Sequence, residues 1–423
     1  MKRIFYFGLA LITSLFSCQE DIKQPDRSDP GVNINLIPST TFQTISGFGG
    51  ANQMWGSTFP NNEEIDKAFG SGDEDLGLSI FRVRIASNPN EWPLIIDVAK
   101  RAQGHGAKIL ASPWSPPPAL KSNNSDISGH LLEENYGAYV SHLNDFISLM
   151  ESNGVDIYAI SIQNEPDIEV SYESCDWTSS EILNFIKNYG DKIVGAKVTS
   201  AESFNFNHAY TDMLLNDEAA LNNFDIIAGH IYGGGQEAYP LAESKEKEIW
   251  MTEYLMNLNV GDWQAAEDGT KWNETMEMLG TMQTAMNNNW NAYIWWYLKR
   301  YYSFIGDGDE GTVNGEILKR GYAYSHFSKF IKPGYQRIDL ETSSSIDATI
   351  TAYQGEGHLV AIILNDTNAT IKVNLSAAER DINKAYTFLT NISVNRGYSE
   401  LEITEGKAEL SISPNSVYTV ILE

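Results

Sequence analysis

Two short segments carry residue types that could do chemistry together: SIQNEPD (Ser161–Asp167), with Glu165, and IWMTEY (Ile249–Tyr254), with Glu253. Each glutamate closes a short apolar run that reads as a buried strand. Cleaving a glycosidic bond requires this kind of pair, one carboxyl to protonate the leaving oxygen and a second to act on the anomeric carbon. Asn164, beside the first glutamate, could hydrogen-bond a sugar 2-hydroxyl, an interaction that strengthens as charge develops. A nucleophilic carboxylate must be ionised, so it needs positive charge or donors nearby. Arg82 and Arg84 in FRVRI share one face of their strand, and Arg82 is the candidate partner. Tyr232 in GHIYGG could donate to the same carboxylate, while His230 reads as a packing residue. Trp55, Trp114 and one of Trp295 or Trp296 lie at strand ends, where an indole face can stack on the C–H face of a pyranose.

The two glutamates stand about 90 positions apart, or three β-α units of roughly 30 residues each. That is the interval between strands four and seven of a (β/α)8 TIM barrel, whose strand ends open on one active face. Eight β-type runs support this: 45–50, 78–85, 107–113, 157–165, 197–203, 224–232, 248–253 and 292–299. Helical patterns lie between them. Tyr139, Leu143, Phe146, Ile147 and Met150 recur at helical spacing with Gly154 as a stop, and another helix reads from Ser179 to Ile193. An open doubly wound sheet fits less well, because no glycine-rich phosphate loop follows a strand.

The fold class expected is therefore α/β, a barrel over residues 45–332 with an associated β-sandwich side domain over 333–423. The C-terminal part reads as eight or nine alternating strands broken by Gly, Asn and Pro. Residues 34–44 could lend a strand to that sandwich, clamping it to the barrel.

With 29 Lys and Arg against 56 Asp and Glu, the formal charge is −27, a field that repels nucleic acid and anionic lipid. No His, Cys and Asp grouping has metal-ligand spacing, so neither metal nor organic cofactor is expected. Lys2 and Arg3 precede an apolar run from Ile4 to Phe16, which reads as an export signal too short to span a membrane comfortably. LFSC (Leu15–Cys18) resembles the lipobox of bacterial lipoproteins, and the QEDI that follows resembles surface-export signals of Bacteroidetes lipoproteins. Residues 1–18 are thus expected to be a signal ending at a lipidated Cys18, and residues 19–33 a flexible tether. The expected location is the outer membrane, facing outward, with the lipid as the only membrane contact. Cys175 alone remains, so no internal disulfide can form.

Six ordered motifs, ISGFGGA, FRVRIAS, ASPWSPPPALKSN, SIQNEPD, WMTEY and YIWWYLKRYYSFI, resemble glycoside hydrolase family 30. Within it they are most similar to bacterial glucuronoxylanase-type endo-β-1,4-xylanases, over nearly everything from Phe42 to Glu423. The resemblance implies a retaining hydrolase with Glu165 as acid/base and Glu253 as nucleophile. Arg82, Trp114, Asn164, Tyr232 and Trp296 would line the subsite of the attacked sugar. It also implies that Arg300 and Tyr302 grip a glucuronate branch through an Arg–carboxylate fork, with the Lys299–Arg300 pair as a local positive exception. At one position the chain departs: Leu255 stands where the family usually has a tyrosine contributing to that grip.

A monomer acting on (glucurono)xylan is the expected reading. The alternatives are a same-family hydrolase of another β-glycan, such as a β-1,6-glucanase or a glucosylceramidase-like enzyme. Of another class is a noncatalytic surface glycan-binding lipoprotein, which would have no need of both carboxylates.

Overall fold

The computed structural model describes residues 31–55, 59–258 and 262–423. The signal, Cys18 and most of the tether lie outside the described residues. The chain runs through β1 (Val32–Thr44), β2 (Gly47–Ala51), α1 (Asn62–Phe69), β3 (Ile80–Ile85), α2 (Ile96–Gly104), β4 (Lys108–Pro113), α3 (Tyr136–Ser152) and β5 (Ile157–Ile160). It continues through α4 (Ser179–Tyr189), β6 (Lys197–Val198), α5 (Asp212–Asn216), α6 (Glu218–Leu221), β7 (Ile226–His230), α7 (Pro240–Ser244), β8 (Glu248–Glu253), α8 (Asp268–Asn287), β9 (Ala292–Tyr297) and α9 (Lys319–Ser328).

Local sequence explains several of these boundaries. Asn61 with Glu64, and Thr178 with Glu181, form reciprocal capping boxes that start α1 and α4. Gly154, at φ +79°, takes the chain out of α3 in a conformation that a side chain would oppose. Helix α4 stops at Tyr189 rather than Ile193, because Gly190–Lys192 tighten into a 3-10 turn.

Strands β2 to β9 form one parallel sheet in the order β6-β5-β4-β3-β2-β9-β8-β7. Parallel bridges Thr199–Ile226 and Ser203–Gly229 join its two ends and close the expected barrel. A buried layer of Ile80, Leu110, Ile226, Trp250, Ala292 and Ile294 fills the interior. Arg82 and Arg84 follow Ile80 on the same face of β3, so they rise from this plug toward the carboxyl ends of the strands. On β8 the alternation would send Glu253 outward with Met251. A register shift against β7, which pairs His230 with Glu253 directly after Gly229 with Met251, turns it back inward.

The side domain comprises β1 with β10 (Gln336–Thr342), β11 (Thr349–Gly355), β12 (His358–Asn365), β13 (Ile371–Ala377), β14 (Ala385–Asn391), β15 (Gly397–Glu400), β16 (Ile403–Thr404), β17 (Lys407–Ile412) and β18 (Ser416–Leu422). Hydrogen bonds link all ten into one sheet, ordered β15-β14-β18-β12-β11-β10-β1-β13-β17-β16. Ile34, Leu36, Val373 and Leu375 share one core with Ala361, Ile363, Val420 and Leu422, so the two halves of the sheet face each other. Strand β1 begins at Val32, two residues into the expected tether, because Val32–Leu36 pair in parallel with β13. The clamp to the barrel is extensive. His326 of α9 bonds Thr419 and Thr390 at 2.8 Å each, and Trp272 of α8 donates to the Asn415 carbonyl at 2.9 Å. No helix among the described residues is long and apolar enough to cross a membrane.

Candidate active site

Glu165 sits just past β5 with φ +43°, a left-handed conformation that costs a non-glycine residue about 1–3 kcal/mol. Three backbone bonds hold it there: Asn164 N–H to Pro113 O, Glu165 N–H to Glu202 O, both 2.8 Å, and Trp177 N–H to Pro166 O at 3.1 Å. Its carboxylate meets His230 Nδ1 at 2.9 Å and accepts from the Tyr172 hydroxyl at 3.3 Å. Glu253 approaches from across the barrel. Arg82 Nη1 donates to its Oε2 at 2.6 Å, and the Tyr232 hydroxyl donates to its Oε1 at 2.9 Å.

Arg82 is wholly buried and organises this floor. Its Nη2 reaches Glu202 at 2.9 Å and the Asn164 side-chain oxygen at 2.7 Å, while Nε donates to Ser112 at 3.1 Å. Its guanidinium lies 4.9 Å from the Trp114 ring centroid and 5.9 Å from that of Trp296. Arg84, the other candidate on that face, points to the rim instead and pairs with Glu91 and Glu173.

The electrostatics set three carboxylates, Glu165, Glu202 and Glu253, against two cations. Burial works to lower the His230 pKa, but the charge of Glu253, the bond to Glu165 and the nearby Glu202 carboxylate raise it to about 9. Burial opposes ionisation of Glu202, yet Arg82 and His230 hold it well below the usual carboxylate range. For Glu253, burial raises the pKa and the charge of Glu165 adds to that, while His230 and Arg82 pull the other way. Two cations against three carboxylates leave the cluster neutral when it holds one further proton.

The structure brings Glu165, Glu253, Arg82, Asn164, Tyr232, Trp114 and Trp296 into one cleft. Trp55 joins edge-on to Trp114 at 5.4 Å, its indole N–H donating to Glu173. Of the two candidate tryptophans on β9, Trp296 faces inward, 6.0 Å from Trp114, and Trp295 faces outward under Arg320. Tyr302 is buried in the same aromatic cluster. Arg300 stands farther out, its Nη1 bonded to Asp307 at 2.7 Å and Asp309 at 2.8 Å. Lys299 supplies no positive exception, since it is buried against Glu64 at 2.7 Å.

His230 is a correction. Expected as packing, it lies between the carboxylates, with Nε2 3.6 Å from Glu202 and 3.9 Å from Glu253. The signal was present, because His230 precedes Tyr232 by two and shares its strand face. Glu202, at the end of KVTSAES, was also missed. A buried arginine with one known carboxylate partner gave reason to look for a second. Tyr172 and Glu173 sit in an irregular loop with no pattern to mark them.

Glu165, His230 and Glu253 each offer one ligand atom, all within 4.8 Å of one another, a grouping that separation along the chain conceals. Here a cation would meet positive charge already in place, from Arg82 and a His230 held protonated at neutral pH. One oxygen of Glu165 and one of Glu253 thus lie within 4.8 Å of each other. Carboxyl groups of retaining glycosidases stand about 5–5.5 Å apart, and those of inverting ones about 6.5–9.5 Å.

A parallel barrel with a close carboxylate pair at the ends of strands four and seven, lined by indole rings, defines a glycosidase. The model for the glycosyl hydrolase family 30 TIM-barrel domain matches residues 67–299. The chain is 37% identical over 378 residues to glucuronoxylanase XynC of Bacillus subtilis (strain 168), covering 87% of this chain and 85% of that protein. It therefore belongs to glycoside hydrolase family 30 and is an enzyme of that family. Among solved structures, it is similar to the family 30 subfamily 8 xylanase Xyn30A of Clostridium acetobutylicum, with a TM-score of 0.82 and 28% identity over 92% of this chain and 99% of that one. It is also similar to a GH30 endoxylanase from Clostridium papyrosolvens C71, with a TM-score of 0.80 and 31% identity over 92% of this chain and 100% of that one.

Proposed function

We propose that this chain is a retaining endo-β-1,4-xylanase that cuts the xylan main chain by double displacement at Glu253 and Glu165. The observation that supports the mechanism is the close approach of the pair, with one oxygen of Glu165 and one of Glu253 within 4.8 Å, as a shared attack on one sugar carbon requires. A carboxylate oxygen of Glu253 attacks the anomeric carbon. The bond to the leaving sugar breaks, and Glu165 delivers the cluster's extra proton to the departing oxygen. Arg82 and Tyr232 hold the nucleophile in place through the bonds at 2.6 and 2.9 Å. Once Glu253 is esterified its charge is gone, and two cations then face two carboxylates, Glu202 and Glu165. Glu165 next takes a proton from water as that water attacks the same carbon and the ester bond to Glu253 breaks, releasing the product with its original anomeric configuration.

The xylan assignment is supported by the glucuronoxylanase relative at 37% identity and the endoxylanase structure at 31%. It is tested by incubating the enzyme with xylan, a β-1,6-glucan and a glucosyl lipid. Short β-1,4-xylo-oligosaccharides, formed first as the β-anomer in NMR spectra, are the expected products. Cleavage of either alternative substrate and not of xylan would contradict the assignment.

From Lys2–Cys18 alone we further propose export and lipid attachment at Cys18. Labelled fatty acid should enter the wild-type chain and not Cys18→Ala.

A further inference from the structure

Four cationic side chains stand at the carboxyl ends of β3 and β9, and each is matched by carboxylates of this chain. Arg82 faces Glu202 and Glu253, Arg84 faces Glu91 and Glu173, Lys299 faces Glu64, and Arg300 faces Asp307 and Asp309. Arg300 decides the matter, because 37% of its side chain is exposed at the rim, whereas Lys299 is buried. A guanidinium grips a carboxylate best as a fork, with two N–H groups on two oxygens. Here Nη1, one end of that fork, already donates to both aspartates. One positive charge between two negative ones leaves a local charge of −1, on a chain whose overall charge is −27. A uronate approaching this rim meets repulsion, and for Nη1 it must compete with Asp307, whose side chain is itself buried. Leu255, half-buried against the main core, brings only an apolar surface to the neighbouring loop.

We infer that Asp307 and Asp309 are specificity-determining residues that cancel Arg300, so that the cleft takes neutral xylan chains, bare or carrying uncharged branches, without needing a glucuronate branch. The inference rests on the xylanase reading and specifies its substrate. Selectivity arises here from a built-in repulsive element as much as from attraction.

The test compares kcat/KM on linear xylohexaose and on glucuronoxylan for the wild-type enzyme, with product sizing by mass spectrometry. Expected are values within about threefold of each other and products whose ends bear no fixed relation to glucuronate. Asp309→Asn should raise the preference for glucuronoxylan about threefold, and Asp307→Asn with Asp309→Asn about tenfold, as Arg300 is released. Wild-type cleavage confined to positions next to glucuronate, and lost in Arg300→Ala, would overturn the inference while leaving the xylanase reading intact. Cleavage of neither substrate would overturn both.

Discussion

Arg82 and Arg300 stand at the same end of one barrel, and each lies between two carboxylates, yet the two pairings do different things. Arg82 is fully buried, so its contacts with Glu202 and Glu253 act where water screens little and one carboxylate can be held ready to react. Arg300 is partly exposed, and Asp309 more so, so solvent and salt weaken the attraction there. What remains at the rim is a cancelled charge, which affects the choice of ligand more than the chemistry. Under the roles proposed above, burial, rather than the identity of the partners, separates the catalytic ion cluster from the selective one.

That contrast can be broken from either side. The largest effect is expected at the floor, where Glu253→Gln should lower kcat by at least about 10³-fold with xylan still bound. A smaller loss of kcat would remove Glu253 from the reaction. Next comes Arg82→Met, which leaves buried carboxylates short of a cation and should cost about 3–5 kcal/mol of stability in denaturant unfolding, in addition to activity. An unchanged unfolding midpoint would mean the cluster is not tightly coupled.

The floor should also respond to pH. His230 is raised from 6.5 to about 9, so its stabilisation is complete below about pH 6.5 and is lost as the pH climbs through 9. Linkage limits this to about 3 kcal/mol, and Glu253, also raised, acts in the same direction. The melting temperature should fall between pH 6.5 and 9, and His230→Gln should flatten that slope. At the rim the expected effect is smallest, with Asp309→Asn shifting stability by less than about 1 kcal/mol. A larger shift would show that the exposed pair is structural after all.

The same contrast explains what the sequence discloses. The eight apolar runs and their helical intervals were enough for the barrel, because strand and helix periods are local properties. Glu165, Glu253 and Arg82 could be singled out because each lies in a buried apolar run beside residues suited to sugar chemistry, whereas Glu202, at the end of another such run, had no such neighbours. Partners brought in by loops were not: nothing near Glu91, Glu173 or Asp307 in the chain indicates which cation each will meet. The register shift between β7 and β8 was equally hidden. Strict alternation would have pointed Glu253 away from the cleft, and only pairing across strands returns it.

The proposed double displacement requires Glu253 to bond covalently to the sugar. A 2-fluoro xylobioside with a good leaving group slows the second step and should trap the adduct. After digestion, mass spectrometry should find the added fluoroxylobiosyl mass on the peptide that contains Glu253, and none in Glu253→Gln. Label on Glu165, or full turnover with the anomeric configuration inverted and no adduct, would rule out Glu253 as the nucleophile.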